Sequence, residues 1–181
     1  LGRAVVQGGS NADAAAASDI AVLCVPYAAQ QATALGVKEQ LAGKILVDVT
    51  VPLVPPKVAN VQLPAGGSCV VALQQALGEA VKVVSAFQNV GAHHFNDAGG
   101  HAIECDVLVC GDSRGARDQV VALVESAGLR GIHAGPLANS AAAEALTSVL
   151  IFINRTYKVS ASGVRITGID GLQPAPPKKG A

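Results

Sequence analysis

The feature that most constrains this chain is an unbroken apolar run, Ile20-Ala21-Val22-Leu23-Cys24-Val25, which ends at Pro26. A run without a polar face is typical of a strand buried on both sides of a parallel sheet. Comparable runs recur at residues 44–48, 81–87, 107–110 and 131–134. Stretches with helical periodicity separate them. This alternation predicts an α/β fold, a Rossmann-like doubly wound sheet that is mostly parallel.

Helix signals lie between these runs. The predicted helices cover residues 13–17 and 30–41, residues 68–78 with Ser68 as cap, a segment after Asp112 or Ser113, and a long helix from Asn139 or Ser140. The last helix should bury a stripe made of Leu146, Val149, Leu150 and Ile153. We expect one Rossmann-like domain over residues 1–171. The proline-rich residues 172–181 should form a disordered tail.

The first β-α-β unit of a dinucleotide-binding domain is missing from this pattern. That unit carries G-x-G-x-x-G between a strand and a helix, and nothing here supplies it. Gln7-Gly8-Gly9-Ser10 is better interpreted as a turn and helix cap. Without a first strand, the strand that ends at Val25 should lack one neighbour. Because the sequence also starts at Leu1 and contains no methionine, we expect an incomplete chain. The missing β-α-β unit alone would need roughly 30 residues.

Charge and composition exclude several classes of protein. There are 13 basic and 13 acidic residues with no basic stripe, so a nucleic-acid partner is not expected. No apolar run reaches the roughly 18 residues of a membrane span, and no membrane partner is expected. The four cysteines lack C-x-x-C spacing and lie in apolar segments. They should be buried core thiols in a cytoplasmic protein.

Open parallel sheets bind ligands at the carboxyl ends of their strands. Here those ends are residues 25–27, 48–52 and 85–89. They predict a ligand crevice along one edge of the sheet. The alternative is that these segments are ordinary strand-to-loop connections.

Several motifs resemble the NADPH-dependent coenzyme F420 reductases over roughly residues 1–168. Two of them are Val51-Pro52-Leu53 and Cys110-Gly111-Asp112, which ends the segment 106–112. The others are residues 17–26, 43–48, 83–87, 134–140, 144–147 and 154–155. The pair Cys-Gly-Asp and Ala-Gly-Pro-Leu-Ala-Asn at this spacing is the most specific part of the resemblance.

The resemblance implies an oxidoreductase that passes a hydride between NADP(H) and the deazaflavin coenzyme F420, with both rings in one apolar cleft. No catalytic acid or base is then required, and we identify no catalytic side chain. By analogy Val25 and Pro26 border the nicotinamide nucleotide, and Leu137 and Asn139 line the same cleft. The residues that would meet the deazaflavin are Val51, Pro52, Leu53, Gln88, Asn89 and Val90. Gln88 stands where many relatives carry His. Family members commonly pair, which makes a homodimer the expected assembly.

Other interpretations remain open at this point. Asn139 could equally be a helix cap. His93, His94 and His101 could suggest a metal, but adjacent histidines on a strand point to opposite faces, and we expect no metal site. The chain could be a non-catalytic remnant that binds a deazaflavin or a partner subunit without NADP. A generic imine or ketone reductase is a weaker alternative, since no proton donor stands out.

Overall fold

A computed structural model describes residues 6–92, 104–171 and 174. Within them, five strands form one sheet in chain order: β1 Ile20–Leu23, β2 Ile45–Asp48, β3 Lys82–Ser85, β4 Asp106–Cys110 and β5 Arg130–Gly135. Strands β1, β2 and β3 are parallel, as are β4 and β5. The two groups meet at an antiparallel pairing of Ser85 with Cys110. The predicted Rossmann-like, mostly parallel sheet is therefore confirmed.

The helices are α1 Asn11–Ala17, α2 Gln30–Leu35, α3 Cys69–Leu77, α4 Arg114–Ser126 and α5 Ser140–Tyr157. Serine caps begin three of them. Ser10, Ser68 and Ser113 each accept a hydrogen bond from a backbone N–H in the first turn. Ser10 also forms a capping box with Asp13, which lowers the pKa of that carboxyl. The segment 7–10 is thus a turn and cap, as its sequence indicates.

Two apolar cores lie on opposite faces of the sheet. On one face α2 and α3 pack over Leu23, Leu46 and Val83. On the other face α4 packs over Val47, Val84 and Val109. The strand residues alternate between the two cores because successive side chains of a strand point to opposite faces. This two-sided burial explains why the strands read as continuous apolar runs.

Strand β1 is an edge of this sheet. It pairs with β2, and no described residue pairs with its other edge. Val22 is 46% exposed, and Ile20 and Ala21 are half-buried. Among the described strands, β1 therefore has the composition of a central strand and the position of an edge strand.

Some details of the sequence prediction are wrong. The helix predicted over residues 30–41 ends at Leu35, because Gly36 takes the C-cap position and the chain then turns. Leu41 is nevertheless fully buried. Val149 is 44% exposed, whereas Glu144 of the same helix is buried. Three cysteines are buried as expected, but Cys24 is exposed because it directly follows the open strand β1.

A few predictions concern residues that have no regular structure or that lie outside the described residues. Residues 6 and 7 have no regular structure. Most of the tail expected over 172–181, and His93, His94 and His101, lie outside the described residues.

Candidate functional site

The carboxyl ends of β1, β2 and β3 lie at the same edge of the sheet because these strands are parallel. A cavity of about 590 Å³ opens there. This volume lies within the range of small-molecule sites. The lining is mostly apolar and comes from the strand ends and from α4 and α5: Val22, Cys24, Val49, Val51, Phe87, Gln88, Val90, Ala92, Leu123, Ser126, Ala127 and Thr147. An apolar cavity of this size suits a flat ring.

Phe87 is the aromatic residue of this cavity, and its backbone is strained. Its φ of 72° lies in the left-handed region, which bulky L-residues rarely adopt. The N–H of Val90 donates to the carbonyl of Phe87 at 3.1 Å and closes a tight turn directly after β3. Residues held in such a conformation concentrate at functional sites, where the surroundings must maintain them.

Gln88 holds this turn against the end of β2. Its Nε2 donates to the carbonyl of Asp48 at 2.7 Å. Its own carbonyl accepts from Oγ1 of Thr147 on α5 at 2.7 Å. The residue is 3% exposed, and its Oε1 is buried with no hydrogen-bond partner among the described atoms. Gln88 is therefore fixed at two points by neighbouring elements.

Asn89 is directed away from the cavity and toward β4. Its Nδ2 donates to the carbonyl of Asp106 at 2.6 Å, and its Oδ1 accepts from the N–H of Leu108 at 3.4 Å. These contacts attach the turn to the antiparallel half of the sheet. The two amide residues thus connect the turn to both halves of the sheet.

A buried carboxylate of α5 fixes the N-terminus of α3. Oε1 of Glu144 accepts from Oγ of Ser68 at 2.5 Å, and Oε2 accepts from the N–H of Cys69 at 2.9 Å. Oγ of Ser68 also lies 2.7 Å from Oγ of Ser140. The positive end of the α3 dipole favours this negative charge. Helix α5 thereby contacts both α3 and the turn after β3.

Asp48 is the last residue of β2 and is fully buried. Burial raises the pKa of its carboxyl, and the negative charge of Glu144 acts in the same direction. Hydrogen bonds from the N–H of Thr50 and from Gln30 oppose this rise. Burial likewise raises the pKa of the exposed but partly desolvated Cys24 thiol, which disfavours the nucleophilic thiolate. Asp48 does not line the cavity, and the raised pKa of Cys24, which does line it, disfavours a role as nucleophile.

A larger cavity of about 910 Å³ lies beside α4 and β5, and Ile166, Ile169, Gly171 and Pro174 also line it. Its lining includes Arg130, which is committed to Asp106 through a paired contact of 2.6–2.7 Å. This cavity is remote from the carboxyl ends of β1–β3. The smaller apolar cavity is the better candidate site because strand ends converge on it.

Comparison with known proteins identifies the family. Residues 2–52 match the family model described as NADP oxidoreductase, coenzyme F420-dependent. The chain is 38% identical over 164 residues to the F420-dependent NADP reductase of Methanocaldococcus jannaschii, covering 88% of this chain and 73% of that protein. The corresponding enzyme of Methanothermobacter marburgensis is 36% identical over 169 residues, with coverage of 91% and 75%.

The chain belongs to the F420-dependent NADP reductase family. A crystal structure from Arthrobacter sp. FB24, provisionally assigned as such a reductase, has the same fold with a TM-score of 0.72. It is 26% identical, and the match covers 88% of this chain and 74% of that one. The resemblance inferred from the sequence motifs is therefore confirmed.

The structure brings some of the residues predicted from this family together and separates others. Val51, Gln88 and Val90 line the cavity. Pro52 is buried and Leu53 half-buried in the following loop, and Pro26 is exposed. Val25 lines a groove of about 380 Å³ beside α1 and α2. These positions surround the edge of the sheet where β1 and β2 end.

Leu137 and Asn139 lie elsewhere. Leu137 is buried in the core with α2 and α3, and its N–H donates to Asp112. Nδ2 of Asn139 donates to the carbonyl of Ala134 at 2.7 Å. Asn139 occupies the N-cap position of α5, but its side chain makes no capping hydrogen bond. Neither residue lines the cavity.

Sequence reasoning missed Thr147 and Glu144 as residues of this region, and it included Phe87 only as part of the crevice segment 85–89. Phe87 lies within residues 83–87, which resemble the family. Glu144 is the first and Thr147 the last residue of another such segment, 144–147. Their roles were not visible because they depend on a left-handed φ and on contacts 59 to 76 residues apart along the chain.

The described residues fit the ring of a coenzyme better than its phosphates. The loop after β1 starts with Pro26 and leads into a short 3-10 turn at Tyr27–Ala29. No described strand is followed by the glycine-rich loop that would let a helix N-terminus approach a pyrophosphate.

Proposed function

We propose that this protein transfers a hydride between NADP(H) and coenzyme F420, with the deazaflavin ring in the cavity formed by Val51, Phe87 and Val90. Family membership supports this function. The observation that supports this position of the ring is the mostly apolar cavity where three parallel strands end. The coenzymes supply the redox chemistry, since hydride passes directly between their rings.

The contribution of the chain is positioning and exclusion of water. Apolar walls formed by Val49, Val51 and Val90 remove solvent from the transferred hydride, and Phe87 offers an aromatic surface for a flat ring. We assign Gln88 and Asn89 to holding this wall. Pro52 and Leu53 extend the deazaflavin side, and Val25 and Pro26 border the nicotinamide. A direct ligand contact by Leu137 or Asn139 is not part of the proposal.

Separate titrations of the purified chain with coenzyme F420 and with NADPH test the function. We expect F420 binding to be weakened at least tenfold in Val90→Asp, because burying an unpaired carboxylate against an apolar ring is costly. Val61→Asp is the matched control, since Val61 is 47% exposed and does not line the cavity. Loss of binding in both variants, or in neither, would contradict the proposed cavity.

The same titrations distinguish the alternatives. Binding of both coenzymes together with hydride transfer supports the reductase. Binding of F420 alone would favour a remnant that lacks NADP binding. Binding of neither coenzyme would overturn the proposal.

We also propose that the protein is a homodimer in the cytoplasm. The outer side of α5 exposes Val149, Phe152 and Tyr157, at 44%, 59% and 73% respectively. The segment Leu137–Tyr157 is long and apolar enough to cross a membrane by length and composition, and 33% of its most apolar window is buried in the fold. An exposed apolar helix face is typical of an interface, and a twofold axis would pair α5 with its copy. The free cysteines agree with a reducing compartment.

Sedimentation velocity of the wild type and of Phe152→Ser tests the assembly. We expect the wild type to sediment as a dimer and the variant to shift toward monomer. A monomeric wild-type chain would contradict this proposal and leave the coenzyme site unaffected.

A further inference from the structure

A hydrogen bond from Thr147 attaches the turn that carries Phe87 to α5. Oγ1 of Thr147 donates to the carbonyl of Gln88 at 2.7 Å and makes only a longer contact, 3.4 Å, to the carbonyl of Ala143 in its own helix. Thr147 also lines the apolar cavity. Its hydroxyl is therefore directed at the turn and not merely satisfied within α5.

This turn needs an external restraint. Phe87 has a φ of 72°, a conformation that costs a non-glycine residue free energy and persists only when the surroundings maintain it. The neighbouring Gln88 is restrained through its side chain by β2 and through its carbonyl by Thr147. Removing one of these two contacts leaves a buried carbonyl without its partner and allows the turn to relax.

Helix α5 is anchored well enough to fix the position of the turn. One turn before Thr147, Glu144 accepts hydrogen bonds from Ser68 and from the N-terminus of α3. Ser140, one turn earlier still, contacts Ser68. These contacts anchor the helix against α3. They therefore fix the position of the Thr147 hydroxyl relative to the edge of the sheet.

We infer that Thr147 is a positioning residue of the coenzyme site: its hydrogen bond to Gln88 holds the strained turn that presents Phe87 to the ring. The inference rests on the proposed function for the identity of the ligand. The contact itself is a property of the chain without ligand.

The test compares Thr147→Val, which keeps the shape and removes the donor, with Thr147→Ser, which keeps the donor. Thr156→Val is the matched control, because Oγ1 of Thr156 donates to the carbonyl of Phe152 in the same helix and to no other described residue. The dissociation constant for coenzyme F420 is measured by fluorescence titration. We expect Thr147→Val to raise it about three- to tenfold, the range for one lost hydrogen bond. Thr147→Ser and Thr156→Val should bind as the wild type.

Hydrogen exchange of the ligand-free chain supplies a second readout. The amide of Val90 should exchange faster in Thr147→Val than in Thr156→Val, because it donates to Phe87 within the turn. If Thr147→Val does not fold, Thr147→Cys keeps a weak donor of similar size and should give an intermediate effect.

The outcomes separate the two proposals. Faster exchange at Val90 with unchanged F420 affinity would overturn the positioning role, as would unchanged exchange. A wild-type chain that does not bind F420 would overturn the proposed ligand; faster exchange in Thr147→Val would then still support the restraint of the turn.

Discussion

At the scale of single residues, the left-handed backbone of Phe87 should lower the free energy of unfolding by a measurable amount. We expect Phe87→Gly to be about 0.5–1 kcal/mol more stable than Phe87→Ala, since relief of about 1–2 kcal/mol of strain exceeds the added chain entropy of glycine. Both variants remove the ring and should bind coenzyme F420 more weakly. Chemical denaturation gives the stability difference.

Ala86 provides the control for this prediction. It is the preceding residue, fully buried, and is not among the residues with positive φ. Ala86→Gly should therefore lower the stability by about 1 kcal/mol, the opposite sign. If Phe87→Ala is as stable as Phe87→Gly, the strain at this position is not significant.

Asp106 provides a pH-dependent prediction at the same scale. Its carboxylate accepts two hydrogen bonds from Arg130 and one from the N–H of Ile166, and the Arg130 guanidinium holds its pKa below the usual value. A folded-state pKa below the unfolded value contributes stability above about pH 4, which is lost as the pH falls through the folded pKa.

We expect Asp106→Asn to lower the unfolding free energy by about 2 kcal/mol at pH 7. The difference from the wild type should narrow below about pH 4, when denaturation is measured across a pH series. Asp19→Asn is the control, because Asp19 is exposed, and this change should have little effect. A difference that stays constant into acid would argue against the ion pair as its cause.

At the scale of elements, the buried Glu144 connects α5 to α3. In Glu144→Gln, an amide replaces a carboxylate oxygen that accepts from Ser68 or Cys69, so one donor is left facing another. We expect a loss of about 2 kcal/mol in unfolding free energy. Glu125→Gln on the exposed side of α4 is the control and should be neutral. Equal stability of the two variants would mean that the carboxylate does not anchor α3.

The helices also show how far sequence patterns reach. Ser68 and Gly78 mark the ends of α3, because capping and a glycine with a φ of 77° are local requirements. The apolar stripe expected for α5 matches its buried face in part: Leu150 is buried, Leu146 and Ile153 are half-buried, and Val149 is exposed. The residues that α5 buries also include Ser140 and Glu144, because these two side chains meet polar groups of other elements. Such pairing depends on tertiary contacts and leaves no periodic signal.

At the scale of the whole molecule, the open edge of β1 predicts a gradient of stability across the sheet. We expect the amides of β1 to exchange with solvent faster than those of β3, which is paired on both sides. Hydrogen exchange resolved by mass spectrometry measures both strands in one experiment. Slower exchange in β1 would show that a further element covers this edge in solution.

The sequence by itself determined the alternation of strands and helices, the two-sided burial of the strands, the caps and the family. These follow from local sterics, hydrogen bonding and the period of apolar residues. Only the tertiary structure decided that Phe87, Gln88 and Thr147 form one wall of a cavity and that Glu144 is buried below α3. Contacts between distant segments depend on how the elements pack in three dimensions, and a pattern along the chain does not encode that distance.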